Sequence, residues 1–209
     1  MFQAYNGMAI IQMVFEDYES SLENFLKAGS YADQAEQESG KNLNYIYNNI
    51  GLAYTNVGMT DSAMYFHKSC EKFRLADGDT YGLAQTYLNL GPLHYELGEN
   101  DSALYFFEKS LEIRENYPGA PFSGIVEARL NVGRSLTALG DYGKAEKILV
   151  QGMNDAEEMN HHILKGRAME DLIKVYSHTG RYKKAFEFSQ AYHTYKDSAF
   201  SIQQTKEII

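Results

Sequence analysis

Apolar side chains recur at helical spacing along most of the chain, as at Leu22, Phe25, Leu26 and Ala28. A spacing of three or four residues places side chains on one face of an α-helix, and the alternation of β-branched and polar residues that is typical of strands does not occur. We therefore predict an all-α fold. In chain order, the predicted helices cover about Phe2–Phe15, Tyr18–Glu36, Leu43–Val57, Asp61–Leu75, Thr80–Leu97, Asp101–Asn116, Phe122–Leu139, Tyr142–Glu158, His161–His178 and Tyr182–Tyr195, with a C-terminal helix over 197–209 that is either separate or a continuation of the last.

The helical pattern repeats with a period of 40 to 42 residues. The position that shows it best holds Glu16, Gly58, Gly98, Gly140 and Gly180. Seven residues before it lie Ala9, Gly51, Gly91, Gly133 and Ile173, and five residues after it lie Ser21, Ala63, Ala103, Ala145 and Ala185. A fixed period of this length is typical of a solenoid of stacked units. We predict a single solenoid domain over 1–209, with repeats 1 to 5 at about 1–40, 41–79, 80–121, 122–160 and 161–196.

Each repeat is predicted to be a pair of antiparallel helices. The glycine that follows the first helix accepts a left-handed backbone conformation, which a Cβ atom would penalise. Small residues such as Gly91 and Ala103 are expected where the two backbones cross closely. The predicted N-caps of the second helices are Thr60, Asn100 and Asp141.

These residues resemble the tetratricopeptide repeat, which places an aromatic, a Leu-Gly step, a tyrosine, an alanine, a second aromatic and a second alanine at fixed offsets. Repeats 2 and 3 match best, through Tyr47, Ile50, Gly51, Tyr54, Ala63 and Cys70, and through Tyr87, Leu90, Gly91, Ala103, Phe107 and Ser110. Repeats 4 and 5 lose the aromatics, and repeat 1 lacks both glycines. The resemblance implies a right-handed superhelix of five helix pairs plus the C-terminal helix. The long period is similar to that of kinesin light chains and bacterial peptide-sensing regulators.

The tail from Tyr195 to Glu207 is similar to the segment that closes the repeat array in certain bacterial membrane-bound signalling proteins. In those proteins the array precedes a transmembrane helix and a kinase or DNA-binding output. The resemblance implies the sensor or interaction region of a bacterial signal-transduction regulator on the periplasmic side of a membrane, with a cytoplasmic location as the alternative. The chain ends on Ile209 within a helical pattern, so we expect a fragment of a longer protein whose uncapped ends self-associate.

Composition excludes several classes of protein. A net charge of −9 argues against nucleic-acid binding, which needs a basic surface. A single cysteine forms no internal disulfide, and Cys70 occupies a small-residue position, so we predict a buried structural thiol. No apolar run approaches the roughly 18 residues of a membrane span.

The predicted binding surface is a concave groove lined by the first helix of each repeat. Residues two and six before, and one and five after, the Leu-Gly step share one helical face. The candidate groove residues are Tyr45, Asn49, Asn56, Gln85, Asn89, Glu96, Asn131, Arg134, Arg167, Asp171 and Lys174.

One groove position repeats its chemistry, holding Asn49, Asn89, Asn131 and then Asp171. An asparagine carries a donor and an acceptor, so a column of them can pair with the backbone of an extended peptide. The resemblance to long-repeat families implies the same role. The alternative is that these side chains bond across neighbouring repeats and serve only the stack.

Three cations, Arg134, Arg167 and Lys174, suggest that the partner presents an acidic residue or a C-terminal carboxylate. The alternative is that these cations only compensate Glu127 and Asp171 nearby.

Catalytic and metal motifs are absent from the sequence. His161 and His162 are adjacent and point about 100° apart on a helix, so we predict a polar helix start rather than a metal site. No phosphate loop, nucleophile elbow or Cys/His cluster occurs. We predict a noncatalytic, cofactor-free module that binds a peptide or protein, with a passive scaffold for complex assembly as the alternative.

Overall fold

The structure is a computed structural model that describes residues 1–39 and 44–207, with side chains described for residues 1–34 and 45–196. This part of the chain contains ten helices and no strand. They are α1 Phe2–Val14, α2 Tyr18–Ser39, α3 Asn44–Asn56, α4 Thr60–Asp77, α5 Thr80–Glu96, α6 Asn100–Asn116, α7 Phe122–Ala138, α8 Tyr142–Glu158, α9 His162–His178 and α10 Tyr182–Glu207. The all-α prediction is confirmed.

The predicted helix ends agree with the structure to within three residues, except at the C-terminus. There α10 runs from Tyr182 to Glu207 without a break. The residues predicted as a C-terminal helix therefore continue the second helix of repeat 5, as far as Glu207. Residues 208–209 lie outside the described part of the chain.

The helices form two compact units. In the first, Met1–Leu97, α1 packs against α2, α2 against α3, α3 against α4 and α4 against α5. In the second, from Gly98 onward, each helix from α6 to α10 likewise packs against the next. The first helices of successive repeats also touch within each unit, α3 with α5 and α7 with α9. The organisation of residues 1–209 as one solenoid domain remains a prediction.

Small residues allow the two helices of a repeat to approach closely. A Cβ atom on Gly51 would lie 2.7 Å from the ring of His67, and one on Gly133 would lie 2.6 Å from Leu149. The corresponding crossing in repeat 1 uses Ser21, whose buried Oγ donates to the carbonyl of Ala9 at 2.9 Å. The close approach predicted from the repeat is therefore present within both units.

The turn after each first helix has a left-handed residue. The four aligned glycines have φ between 70° and 81°. Glu16, at the same position of repeat 1, adopts φ 60° with a side chain in place. A left-handed conformation costs a non-glycine residue about 1–2 kcal/mol. The turn of repeat 1, which has Glu16 instead of glycine, is therefore strained in its backbone.

The predicted N-caps are one residue late in two repeats. Asp141 does cap α8, and its carboxylate accepts from the Lys144 amide at 3.3 Å. Thr60 and Asn100, however, are the first helical residues of α4 and α6, so their assignment as caps was wrong. In repeats 2 to 4 the cap is the residue directly after the left-handed glycine, namely Met59, Glu99 and Asp141. In repeats 2 and 3 that residue makes no side-chain cap hydrogen bond.

Candidate functional site

The predicted groove residues of the second compact unit lie on one surface formed by α7 and α9. On α7 they are spaced by four and three residues, and on α9 by the same intervals, so each set follows one helix face. We call this surface the polar ladder; it consists of Glu127, Asn131, Arg134, Arg167, Asp171 and Lys174.

Side chains of the polar ladder join the two helices. Arg167 donates from Nη2 to Asn131 Oδ1 at 2.9 Å, and its Nη1 lies 3.3 Å from Glu127 Oε1. Arg134 Nε lies 3.4 Å from Asp171 Oδ2, across the same gap. Lys174 Nζ approaches Asp171 Oδ1 at 2.8 Å from one turn further along α9. The structure therefore brings together all five predicted residues of this unit, together with Glu127, which the sequence had already placed near these cations.

The cations of the polar ladder are more accessible than its main anion. Asp171 is 2% exposed, whereas the side chains of Arg134 and Lys174 are 35% and 58% exposed. Arg167 and Glu127 are partly exposed. Solvent thus meets three cations and one carboxylate, although the chain as a whole carries a charge of −9. The compensating pairs that the sequence analysis gave as the alternative are present, and they leave a local excess of positive charge.

In the first compact unit the asparagine column bonds across neighbouring repeats. Asn49 Nδ2 donates to Asn6 Oδ1 at 3.3 Å, and Asn89 Nδ2 donates to Asn48 Oδ1 at 3.0 Å. Gln85 donates to Asn89 Oδ1 at 3.1 Å, so both ends of the Asn89 amide are used. These contacts correspond to the structural alternative for the asparagines, whose side chains remain half-buried.

The acceptors Asn6 and Asn48 were not predicted. Both lie three residues before the aligned Ala9 and Gly51, one position before the asparagine column. The repeat alignment could have found this pair of amides at matching positions. The three remaining candidates of the first unit, Tyr45, Asn56 and Glu96, lie outside these amide contacts.

Tyr45 is exposed at the start of α3 and meets the ring of Phe2 edge-on, with centroids 5.7 Å apart. Partial burial raises the pKa of Tyr45 above its ordinary value. Asn56 and Glu96 lie exposed at the ends of α3 and α5. These three residues are not part of the hydrogen-bonded amide set.

Buried arginines that the sequence did not single out hold neighbouring helices together. Arg74 donates to the carbonyl of Gly82 and, at 3.0 Å, to Thr86 Oγ1, which links α4 to α5. Arg129 contacts Asp155 on α8 and Glu115 on α6, the latter at 2.6 Å. Since Arg74 recurs as buried Arg114 one period later, the repeat carried a signal for it.

The contacts of His161 and His162 indicate a structural role for this pair. His161 caps α9, its Nδ1 accepting from the Leu164 amide at 3.3 Å, and His162 lies 2.9 Å from the Tyr195 hydroxyl. Cys70 is fully buried, as predicted, and burial raises the pKa of its thiol. Among the described residues, no three His, Cys, Asp or Glu side chains group closely enough to hold a metal ion. No described helix is both long and apolar enough to cross a membrane.

Comparisons with known proteins point to one repeat family. A family model for the tetratricopeptide repeat matches residues 42–116. No curated protein sequence matches the chain. Among solved structures, BtubC (BKLC) from P. vanneervenii superposes with a TM-score of 0.80 at 17% identity, over 94% of this chain and 80% of that one.

Two other solved structures have the same fold. A putative kinesin light chain from Podosopora anserina with nearly identical TPR-like repeats gives a TM-score of 0.75 at 11% identity, over 95% and 96% of the two chains. A Rap protein complexed with Competence and Sporulation Factor gives 0.74 at 18% identity, and this chain covers about half of it, 53%, with 93% of its own length. Identities this low establish the fold alone.

Proposed function

Residues 42–116 belong to the tetratricopeptide repeat family, and from that premise we propose that the chain is a noncatalytic module that binds an extended peptide or protein segment. Repeats of this kind stack into extended binding surfaces. The proposed binding surface in the second compact unit is the polar ladder. The proposed ligand is a segment that carries an acidic side chain or a free C-terminal carboxylate.

The main support for this proposal is the accessible positive charge of Arg134, Arg167 and Lys174, next to an Asp171 carboxylate that is buried. A guanidinium binds a carboxylate through two parallel hydrogen bonds, and Arg134 and Arg167 are both partly exposed. A ligand carboxylate could take the place of Glu127 beside Arg167, because Glu127 lies partly in solvent and loses little by moving. Buried Asp171 would stay in place and hold Arg134.

The asparagines of the first compact unit are proposed to contact the ligand backbone. Asn49 and Asn89 are half-buried and already hydrogen-bonded to other amides. Exchange of one amide partner for a peptide group conserves the number of hydrogen bonds, so its net cost is small. Tyr45, Asn56, Gln85 and Glu96 remain proposed contacts in the same unit.

Fluorescence anisotropy with labelled ten-residue peptides tests the proposal. The probe is an acidic peptide with a free carboxylate, and its comparison is a neutral, amidated peptide of the same length. We expect the acidic peptide to bind and Lys174→Gln to weaken its binding about two- to fivefold, because a lost charge contact at a partly exposed site is worth about 0.5–1 kcal/mol.

Lys109→Gln is the matched control, since Lys109 also pairs with a carboxylate three residues away, Glu112 at 2.9 Å, and is similarly exposed. Its binding should equal that of the unchanged protein. Equal losses in both variants, or equal binding of the neutral peptide, would count against a specific site at the polar ladder.

The proposed biological role is the sensor or interaction region of a bacterial signal-transduction regulator. Its support is the likeness of the fold to the Rap protein that was solved with Competence and Sporulation Factor. A bound ligand would act by shifting the population between two arrangements of the repeats, which requires different affinities for the two. The alternative is a passive scaffold, in which small-angle scattering of the chain stays unchanged at saturating peptide.

A further inference from the structure

The first helix of repeat 1 exposes apolar positions that all other repeats bury. Three positions define this face, five and one before, and two after, the aligned Ala9. In repeats 2 to 5 these positions are at most 2% exposed; they hold Ile46, Ile50, Ala53, Thr86, Leu90, Leu93, Ala128, Val132, Ser135, Ala168, Leu172 and Val175. In repeat 1 the same positions hold Ala4, Met8 and Ile11, and all three are exposed; Met8 is 51% exposed and Ile11 is 59% exposed. We call the surface formed by these three residues the open face.

Contacts in the later repeats show what covers such a face. A Cβ atom on Gly29 of α2 would lie 3.0 Å from Ile50 Cδ1 of α3. Thr86 of α5 receives a hydrogen bond from Arg74 of α4 and lies 3.6 Å from Cys70 Sγ. The cover is therefore a helix of the preceding repeat. The open face has the residues of a packed interface, and it lies in solvent.

The helix α10 of a second molecule does not match the open face. The covering helices α2, α4, α6 and α8 all have a small buried residue seven positions after the aligned small residue; these are Ala28, Cys70, Ser110 and Gly152. On α10 the same position holds Tyr192, which is partly buried. A tyrosine there would hold an incoming helix away, so head-to-tail stacking is disfavoured.

The open face is instead complementary to itself. The 13 residues of α1 include no charged side chain, although the chain carries a charge of −9. Glu16 and Asp17 follow the C-terminal end of α1, and its N-terminal turn has no acidic residue. If two such helices lie antiparallel, the acidic pair of each copy meets the positive end of the other helix dipole.

We propose that two copies of this chain pair through the open face, with their α1 helices antiparallel across a twofold axis. A twofold interface uses the same patch on both molecules. The surface lies on the first helix of repeat 1 and includes no residue of the polar ladder, so the proposal stands independently of the proposed function.

Sedimentation equilibrium between about 1 and 200 µM tests this pairing. We expect a monomer–dimer equilibrium for the unchanged chain. Ile11→Glu should weaken it about a hundredfold, because the twofold axis places two buried carboxylates in one apolar interface. Met8→Glu provides a second variant, and both residues are exposed enough to leave the fold intact by circular dichroism.

Ile163→Glu is the matched control, because it changes the same residue type on a helix surface that is also exposed, at 72%. Its dimerisation should equal that of the unchanged chain. A monomer at all concentrations, larger oligomers that grow without limit, or a dimer that Ile11→Glu leaves intact would each overturn the proposal.

Cross-linking gives a second readout of the twofold axis. In a Cys70→Ser background, Met8→Cys should form a disulfide-linked dimer on mild oxidation, since Met8 is the central residue of the open face and a twofold axis through that point brings the two copies of it together. Ile163→Cys should not. Cross-linking at Ile163 with none at the open face would also overturn the pairing.

Discussion

At the scale of single residues, His67 is the most unusual group in the first compact unit. It is fully buried on α4 against Gly51, and neither ring nitrogen has a hydrogen-bond partner among the described residues. Burial, reinforced by the nearby charge of Arg74, lowers the pKa of His67 from 6.5 to about 4. The imidazole is therefore neutral in the folded protein at pH 7.

The stability of the first unit should consequently depend on pH through His67. In the unfolded chain His67 takes up a proton near pH 6.5, whereas in the folded chain it does so only near pH 4. The contribution of neutral His67 to the free energy of unfolding is therefore fully present above pH 6.5 and is lost as the pH falls from 6.5 to 4. The expected loss is about 3 kcal/mol. Urea unfolding at several pH values measures it.

His67→Leu should remove this dependence, because leucine fills the same slot in repeat 4, as Leu149. The control is His193→Leu, which changes an exposed histidine on α10. An equal acid sensitivity of the unchanged chain and the His67→Leu variant would contradict the assignment and leave the carboxylates as its cause.

At the scale of helices, the sequence predicts most of what the structure contains. The period of small residues and glycines gave the helix pairs and their crossings, since a residue without bulk is needed wherever two backbones approach. The caps were misplaced because Thr60 and Asn100 are good capping residues that stand one position beyond the turn. The end of repeat 5 could not be predicted, because no proline or glycine interrupts the helical pattern between Tyr182 and Glu207.

The side-chain pairs of the candidate site were only half predictable. Spacing placed Arg134 and Asp171 on the same face of their helices, yet their contact depends on the offset between α7 and α9, which no single-helix pattern contains. The same holds for Asn48, whose use as an acceptor for Asn89 depends on how α3 meets α5.

Helix crossing can be tested with two glycines of the second unit. Gly133→Ala should destabilise it by about 1–3 kcal/mol, because the added Cβ would lie 2.6 Å from Leu149. Gly143→Ala, in the first turn of α8 with no atom within 4 Å, should instead stabilise it by about 0.5–1 kcal/mol. Thermal unfolding measures both. Changes of the same sign would contradict the packing role of Gly133.

At the scale of the whole molecule, binding to a partner follows from stacking. A helix pair is too small to bury its apolar face alone, so neighbouring repeats cover it and leave a row of first helices available for a ligand. In the second unit these first helices are α7 and α9, which form the polar ladder. There the partly exposed cations Arg134 and Lys174 pair with buried Asp171.

Amide chemical-shift mapping of the full chain with the acidic ten-residue peptide tests this claim most directly. The predicted result is that shifts concentrate in residues 127–134 of α7 and 167–174 of α9 and vanish with the neutral, amidated peptide. Shifts centred on the exposed residues of α8 and α10, with 127–134 and 167–174 unchanged, would contradict it.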